Sequence, residues 1–342
     1  MTCLRARARA IAEISSKIES LLSVRRVTPS RLLSIIGDSV KWNQHISATC
    51  TSIYYDNATS HELSPSGIVD FGIESRPESF LFSSNHIIIG SFDGCVEFWH
   101  HSSLQLDTDL TWQDSDDLIM MGSSISSLAV SDDFIACGDS SGSIAVYRSD
   151  TGTLCKDLPH VYSSAISSLS FNSTSASLLS SSYCTMMIHS ANSSQQPLHV
   201  HTCQSAIVMT VFDNDDVVLI ACMNSVVVYD ITACCANIII AQTTSRLIHL
   251  SNNIIVTMDG TITDIRNHHS IESKISVRNA AVGRNKAYLA DGLHQLIIVD
   301  IASGKIDSTL SLLRDDQVHC ICLHVDNIVA ISYESGKLQI WG

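Results

Sequence analysis

The hydrophobic pattern of the chain is short and recurrent. From Ile87 the sequence reads IIIGSFDGCVEFW: an apolar run, a break at Gly90-Ser91-Phe92-Asp93-Gly94, and an alternating run ending on Trp99. The β-branched residues of the first run suit a buried strand. Asp93-Gly94 is a tight-turn pair, because glycine takes positive φ at no steric cost. Val96 and Phe98 alternate with Glu97 and Trp99, as on a strand with two different faces. The segment predicts a β-hairpin, and the chain repeats it. FIACGDSSGSIAVY (Phe134 to Tyr147) and IVAISYESGKLQIW (Ile328 to Trp341) place Gly142 before Tyr147 and Gly336 before Trp341 at the spacing that Gly94 keeps to Trp99. VVLIACMNSVVVY (Val217 to Tyr229) has Asn224 in that place, which asparagine suits through its tolerance of left-handed backbone.

Fainter copies close on His189, Ile265 and Val299. The closing positions Trp99, Tyr147, His189, Tyr229, Ile265, Val299 and Trp341 are then 48, 42, 40, 36, 34 and 42 residues apart by subtraction. A period of about 40 residues built from short strands predicts the four-stranded blades of a β-propeller. Asp93 and Gly94 are turn residues in this register, and Trp99, Tyr147, Tyr229 and Trp341 are blade-closing core aromatics. The last blade stops one strand short at Trp341. A strand near residues 50–56 is expected to supply the missing edge and close the ring, while Ser-Pro-Ser-Gly at 64–67 reads as a turn.

SFDGCVEFW and SYESGKLQIW resemble the Ser-x-Asp-Gly-x-hydrophobic-x-hydrophobic-Trp ending of WD repeats. The resemblance runs from about Cys50 to Gly342, strongest in the first and last copies. The family's Gly-His repeat start is absent throughout. It implies a mainly β fold: a seven-bladed WD-repeat-like propeller over 49–342, carrying a short helical module at 1–48.

In that module Ile11, Ile14, Ile18, Leu21 and Leu22 recur at helical spacing, which predicts an amphipathic helix over about 4–23. Thr28-Pro29 is a helix start, and Leu32, Leu33, Ile36 and Val40 give a second helix its apolar stripe. Thr28 to Ile46 resembles the second half of an F-box, with Pro29, Leu32-Leu33, Ser39 and Trp42 in the family's places. Ala12 to Leu22 resembles the first half, although Ile11-Ala12 stands where the family has Leu-Pro and the connection is longer. The resemblance implies that residues 11–46 dock on the adaptor of a cullin–RING ubiquitin ligase, with Leu21, Leu22, Pro29, Leu32, Leu33, Ile36 and Trp42 as contacts and a substrate protein held on the propeller face. A helical extension packed on the propeller, or a basic, alanine-rich presequence at 1–12, are the other readings of the same residues.

Composition narrows the partners. Hydrophobic residues make up 45% and charged residues 16% of 342 positions, enough apolar content for a large core. Of the formal charge of −14, residues 1–48 carry +5 (eight Lys and Arg against three acids), leaving −19 for the rest. So acidic a propeller is a poor binder of nucleic acid, whose phosphates need Lys and Arg, so no nucleic-acid partner is expected. No apolar run reaches about 18 residues, and the start has no apolar signal segment, so no membrane partner is expected. Twelve cysteines then read as reduced thiols in cytoplasm or nucleus. Cys95, Cys137, Cys222, Cys320 and Cys322 lie in apolar strands as small hydrophobes, and Cys234-Cys235 falls between blades. His100-His101, His199-x-His201 and His268-His269 lack converging further ligands, so no metal or cofactor is expected. The acids Asp107, Asp109, Asp114, Asp116 and Asp117 read as a solvated loop. Gly138 to Gly142 spells GDSSG, but a hydrolase elbow needs a helix after it and a His base. Here SIAVY follows, a strand, so no catalytic residue is assigned. The expected function is a non-enzymatic interaction scaffold, with the ligase substrate receptor as its sharper form and a scaffold subunit of another complex as the alternative.

Overall fold

The structure, a computed structural model, describes residues 65–341 except 72–75, 84–85, 101–122, 192–195, 241–242, 244, 252, 267–268, 284, 315 and 325–327. The proposed helical module, the strand expected at 50–56 and the acidic loop lie outside the described residues.

The described residues form 27 strands in seven antiparallel sheets. Strand β1 (Pro65–Asp70) comes first. Blade one is β2 (Pro77–Phe82), β3 (His86–Ser91) and β4 (Val96–His100). Blade two is β5 (Ile125–Val130), β6 (Phe134–Asp139), β7 (Ile144–Arg148) and β8 (Leu154–Leu158). Blade three is β9 (Ser168–Phe171), β10 (Ser177–Ser182), β11 (Thr185–Ser190) and β12 (His199–Thr202). Blade four is β13 (Ile207–Asn214), β14 (Val217–Cys222), β15 (Val226–Asp230) and β16 (Cys235–Ile240). Blade five is β17 (Leu247–Ser251), β18 (Ile254–Thr257), β19 (Thr261–Asp264) and β20 (His269–Glu272). Blade six is β21 (Val277–Val282), β22 (Lys286–Asp291), β23 (Gln295–Asp300) and β24 (Ile306–Ser311). Blade seven is β25 (Val318–His324), β26 (Ile328–Tyr333) and β27 (Lys337–Trp341), with β1 as its outer strand. The innermost strands touch in sequence around the ring, and β25 returns to β2. The chain is a seven-bladed β-propeller.

Burial explains why the sequence repeat was visible where it was. The second strand of a blade is covered on both faces by neighbouring blades, so β6 and β26 are buried at every position and read as continuous apolar runs. Outer strands are half solvated, as in β12 and β24, where buried positions give way to partly and fully exposed ones. The closing residues pack against the blade before them. Trp99 lies with Val69, Phe71, Ile328 and Ala330 of blade seven, and Tyr147 with Ile88 and Phe98 of blade one. Trp341 joins Tyr288 and Ile298 of blade six. Phe71 meets Trp99 edge-on at 5.6 Å, a geometry worth about 0.5–1.5 kcal/mol beyond the area buried.

Two expectations need correction. The ring is closed by Pro65–Asp70, which pairs antiparallel with β27 from Pro65↔Trp341 to Asp70↔Lys337. The Ser-Pro-Ser-Gly stretch thus enters a strand where a turn was expected. Proline is tolerated there because this is an edge strand, and the register shifts between Pro65 and Gly67. Second, Asn224 does not take the left-handed backbone that Gly94, Gly142 and Gly336 adopt at φ 83°, 87° and 91°. Its hairpin is tighter, closed by Cys222 N–H donating to the Ser225 carbonyl at 2.9 Å, so a left-handed residue is not required. Cys234-Cys235 also sits within blade four, Cys235 opening β16 opposite Asp230.

Candidate interaction face

One end of the propeller carries the hairpin turns between second and third strands together with the links from blade to blade. Main-chain bonds fix the two sets against each other. In five blades the residue after the second strand donates its N–H to a link carbonyl: Phe92 to Arg76 (2.9 Å), Ser140 to Ser124 (2.8 Å), Met223 to Ala206 (2.9 Å), Met258 to Arg246 (2.8 Å) and Glu334 to Gln317 (2.9 Å). Within the turns, aspartates hold the backbone. Asp139 accepts the N–H groups of Ser141 (2.9 Å) and Ser143 (2.8 Å), Asp291 those of Leu293 and Gln295 (2.8 Å each), and Asp93 that of Cys95 (3.3 Å). The Ser91 hydroxyl also donates to Asp93. Glycine is needed for approach as well as for φ. A Cβ on Gly142 would lie 2.2 Å from the Tyr162 carbonyl oxygen of the following link.

This rigid frame aims apolar side chains into solvent. Phe92, Tyr183, Met223, Met258 and Leu293 are all exposed at these turns, Tyr183 at 70% and Leu293 at 78%. Five of the nine large hydrophobics that are exposed among the described residues therefore sit at one end, on five different blades. Exposed Arg246, Lys274 and Arg314 stand in the links around blades five and six, with Arg278 at the start of β21, and the Arg278 guanidinium reaches within 3.5 Å of where a Cβ on Gly292 would lie, beside Leu293. At the ring closure the Arg76 guanidinium lies 4.7 Å over the Phe92 ring and 2.6 Å from Glu78, which His319 of blade seven approaches to 2.9 Å. Burial pushes the Glu78 carboxyl up, but the bonds to His319 and Arg76 outweigh it and hold its pKa below the usual value. At the other end of the ring, aspartates serve the turns: Asp230 accepts the Ala233 N–H and Asp300 the Ser303 N–H. A cavity of about 340 Å³ lies there between blades four and five, where Arg266 faces Asp213 at 3.6 Å.

The residues singled out in the sequence fall into three groups. Asp93, Gly94, Gly142 and Gly336 build the turn face, while Trp99, Tyr147, Tyr229 and Trp341 are buried beneath it as scaffold. Leu21, Leu22, Pro29, Leu32, Leu33, Ile36 and Trp42 lie outside the described residues. The GDSSG string is a hairpin turn leading into β7, and its aspartate binds its own turn. His199 and His201 pack on the Tyr229 ring at 6.3 and 5.2 Å, with the Cys234 Sγ 3.8 Å from His199 Nδ1. Among the described residues no group of three metal donors converges. The exposed apolar position was missed in the sequence. Its signal was present, since Phe92, Met223 and Met258 each follow a buried second strand in the same register.

No family model matches the chain. Over 119 residues, 30% of the chain, it is 29% identical to the WD40 repeat-containing protein smu1 of Dictyostelium discoideum. The match is to a WD40 repeat protein. The matched part spans 22% of that relative's length. Among solved structures, the computationally designed Ika8 protein superposes with a TM-score of 0.57 over 79% of this chain and 97% of its own, at 20% identity, a likeness of fold alone.

Proposed function

We propose that this chain is a non-enzymatic protein-interaction scaffold that holds its partner on the turn face of the propeller. The observation that carries the reading is the set of exposed apolar side chains, Phe92, Tyr183, Met223, Met258 and Leu293, on a frame whose main-chain bonds fix its geometry. Exposed apolar groups gathered at one end of a soluble fold mark an interaction site, and loops on a rigid scaffold are where such sites are carried. Arg246, Lys274, Arg278 and Arg314 beside Met258 and Leu293 favour a partner segment that mixes acidic and apolar side chains. The sharper reading is a substrate-recognition subunit of a cullin–RING ubiquitin ligase, acting in cytoplasm or nucleus, with residues 11–46 on the adaptor and the substrate on the turn face. It rests on the F-box resemblance of Pro29, Leu32, Leu33 and Trp42. The alternative is a scaffold subunit of another assembly.

The test is co-purification of the full chain with purified adaptor and, from cells, with its bound proteins. Pro29→Ala/Leu33→Ala is expected to lose adaptor while keeping turn-face partners and the melting temperature. Met258→Ser/Leu293→Ser is expected to do the reverse. Wild-type protein that binds no adaptor at micromolar concentration ends the ligase reading. A Met258→Ser/Leu293→Ser variant that keeps every partner ends the face assignment.

A further inference from the structure

The seam between blades three and four brings together three thiols from three elements. Cys184 is in the turn between β10 and β11, Cys203 follows β12, and Cys222 ends β14. Cys203 N–H donates to the Cys184 carbonyl at 2.7 Å, which fixes the link against the turn. Cys222 is held opposite Ile207 of β13, and the next residue, Met223, donates its N–H to Ala206 of the same link. Cys203 packs from the third blade onto the apolar cluster that contains Cys222 of the fourth, with its thiol beside that of Cys222.

The place of Cys222 in the repeat is also telling. At the end of the second strand other blades carry Ser91, Asp139, Thr257 and Asp291, whose oxygens serve their own turns. In blade four a sulfur stands there, close to Ser205, Ser225 and Cys203. The bond from Cys203, with those from the two serines, outweighs burial and holds the Cys222 thiol down at about 7, while the same bond pushes Cys203 up. A thiolate is the reactive form of cysteine. Cys222 itself is buried and Cys203 beside it is half-buried, so the pair calls for an oxidant as small as peroxide.

We propose that Cys203 and Cys222 form a peroxide-oxidisable pair that closes into a disulfide stapling blade three to blade four beside Tyr183 and Met223. The Cys222 thiolate attacks one oxygen of hydrogen peroxide. The O–O bond breaks, and the departing hydroxide takes up a proton and leaves as water. The resulting sulfenic sulfur is attacked by Cys203, whose proton leaves with the hydroxyl as a second water while the S–S bond forms. Peroxide is the two-electron oxidant, and the two thiols are oxidised.

The experiment treats the full chain with stoichiometric hydrogen peroxide, blocks remaining thiols with N-ethylmaleimide, and maps peptides without reduction. A peptide linking Cys203 to Cys222, reversed by dithiothreitol and formed at a rate that drops below about pH 7, is expected. Cys155→Ser, at an exposed thiol elsewhere on the ring, is expected to leave it unchanged, and Cys203→Ser to leave Cys222 as sulfenic acid or its overoxidised forms. A linkage of Cys203 to Cys184 in the wild-type protein, or no Cys203–Cys222 peptide at millimolar peroxide, overturns the proposal without recourse to any variant.

Discussion

The ammonium of Lys156, on the outer strand of blade two, donates to the main-chain carbonyl of Ser190 in blade three at 2.7 Å. The residue before Ser190 is His189, which fills the blade-closing place that Trp99, Tyr147 and Tyr229 hold elsewhere. It is fully buried, and neither ring nitrogen has a hydrogen-bond partner. An unpaired buried polar group costs roughly 1–3 kcal/mol. His189→Phe removes both nitrogens while keeping a ring, so it is expected to raise the thermal midpoint by several degrees, measured by calorimetry near neutral pH. An unchanged or lower midpoint means that the imidazole has a role that its geometry does not reveal.

The same residue sets a pH response. Burial, and then the charge of Lys156, lower the pKa of His189 from the usual 6.5 to about 4, and burial does the same to His249. A histidine held neutral in the fold stabilises fully above its unfolded value, and that contribution is lost as pH falls from about 6.5 towards 4. Between those limits the slope from His189 approaches roughly 1.4 kcal/mol per pH unit. Urea midpoints at pH 7.5, 6 and 5 are expected to fall progressively, and less so in His189→Phe. Parallel curves for the two proteins would remove His189 from the account.

Much of this was legible in the sequence because of where burial falls. The hairpins of second and third strands are covered on both faces, so their apolar runs and turn glycines repeat visibly, and seven blades were countable from them. Outer strands such as His199–Thr202 and Ile306–Ser311 are half exposed and carry no such signature. The closing strand was misplaced for a related reason. Thr51 to Tyr55 looked more strand-like than a Pro-Ser-Gly stretch, but an edge strand tolerates proline, and what selects β1 is Val69 and Phe71 landing on Trp99. The turn face was half read. Asp93 and Gly94 are legible as turn chemistry, whereas the position of Phe92 repeats in register at Met223 and Met258 but is exposed only through the way each turn sits on the neighbouring link.

Gly142 separates the demands of φ from those of space. With φ at 87° and the Tyr162 carbonyl in the way, Gly142→Ala is expected to destabilise by more than about 1 kcal/mol. At Gly292, where φ is not positive and a Cβ meets only the Arg278 side chain at 3.5 Å, alanine is expected to change stability by less than half as much. Denaturant titration of the pair checks the contrast. Equal losses would show that the link does not press on the turn.

Ring closure gives a third comparison. Trp99→Ala removes a buried aromatic shared by blades one and seven and is expected to cost about 3–5 kcal/mol. Deleting residues 65–71 exposes the edge of β27 and is expected to give an aggregating product without a cooperative melt. Deleting 50–60 leaves the observed closing strand in place and is expected to melt cooperatively. A soluble, cooperative product from the first deletion would refute the closure described here.

The pairing of Pro65 with Trp341 also has a meaning in time. During synthesis the second to sixth blades can each complete their sheets from consecutive strands, but the seventh needs a strand made some 270 residues before its partner. For most of translation that strand is a loose end holding half of a seam, and Trp99 waits uncovered for the chain to return. Such long-range pairing is slow, so the arrival of β27 decides when this protein becomes a ring.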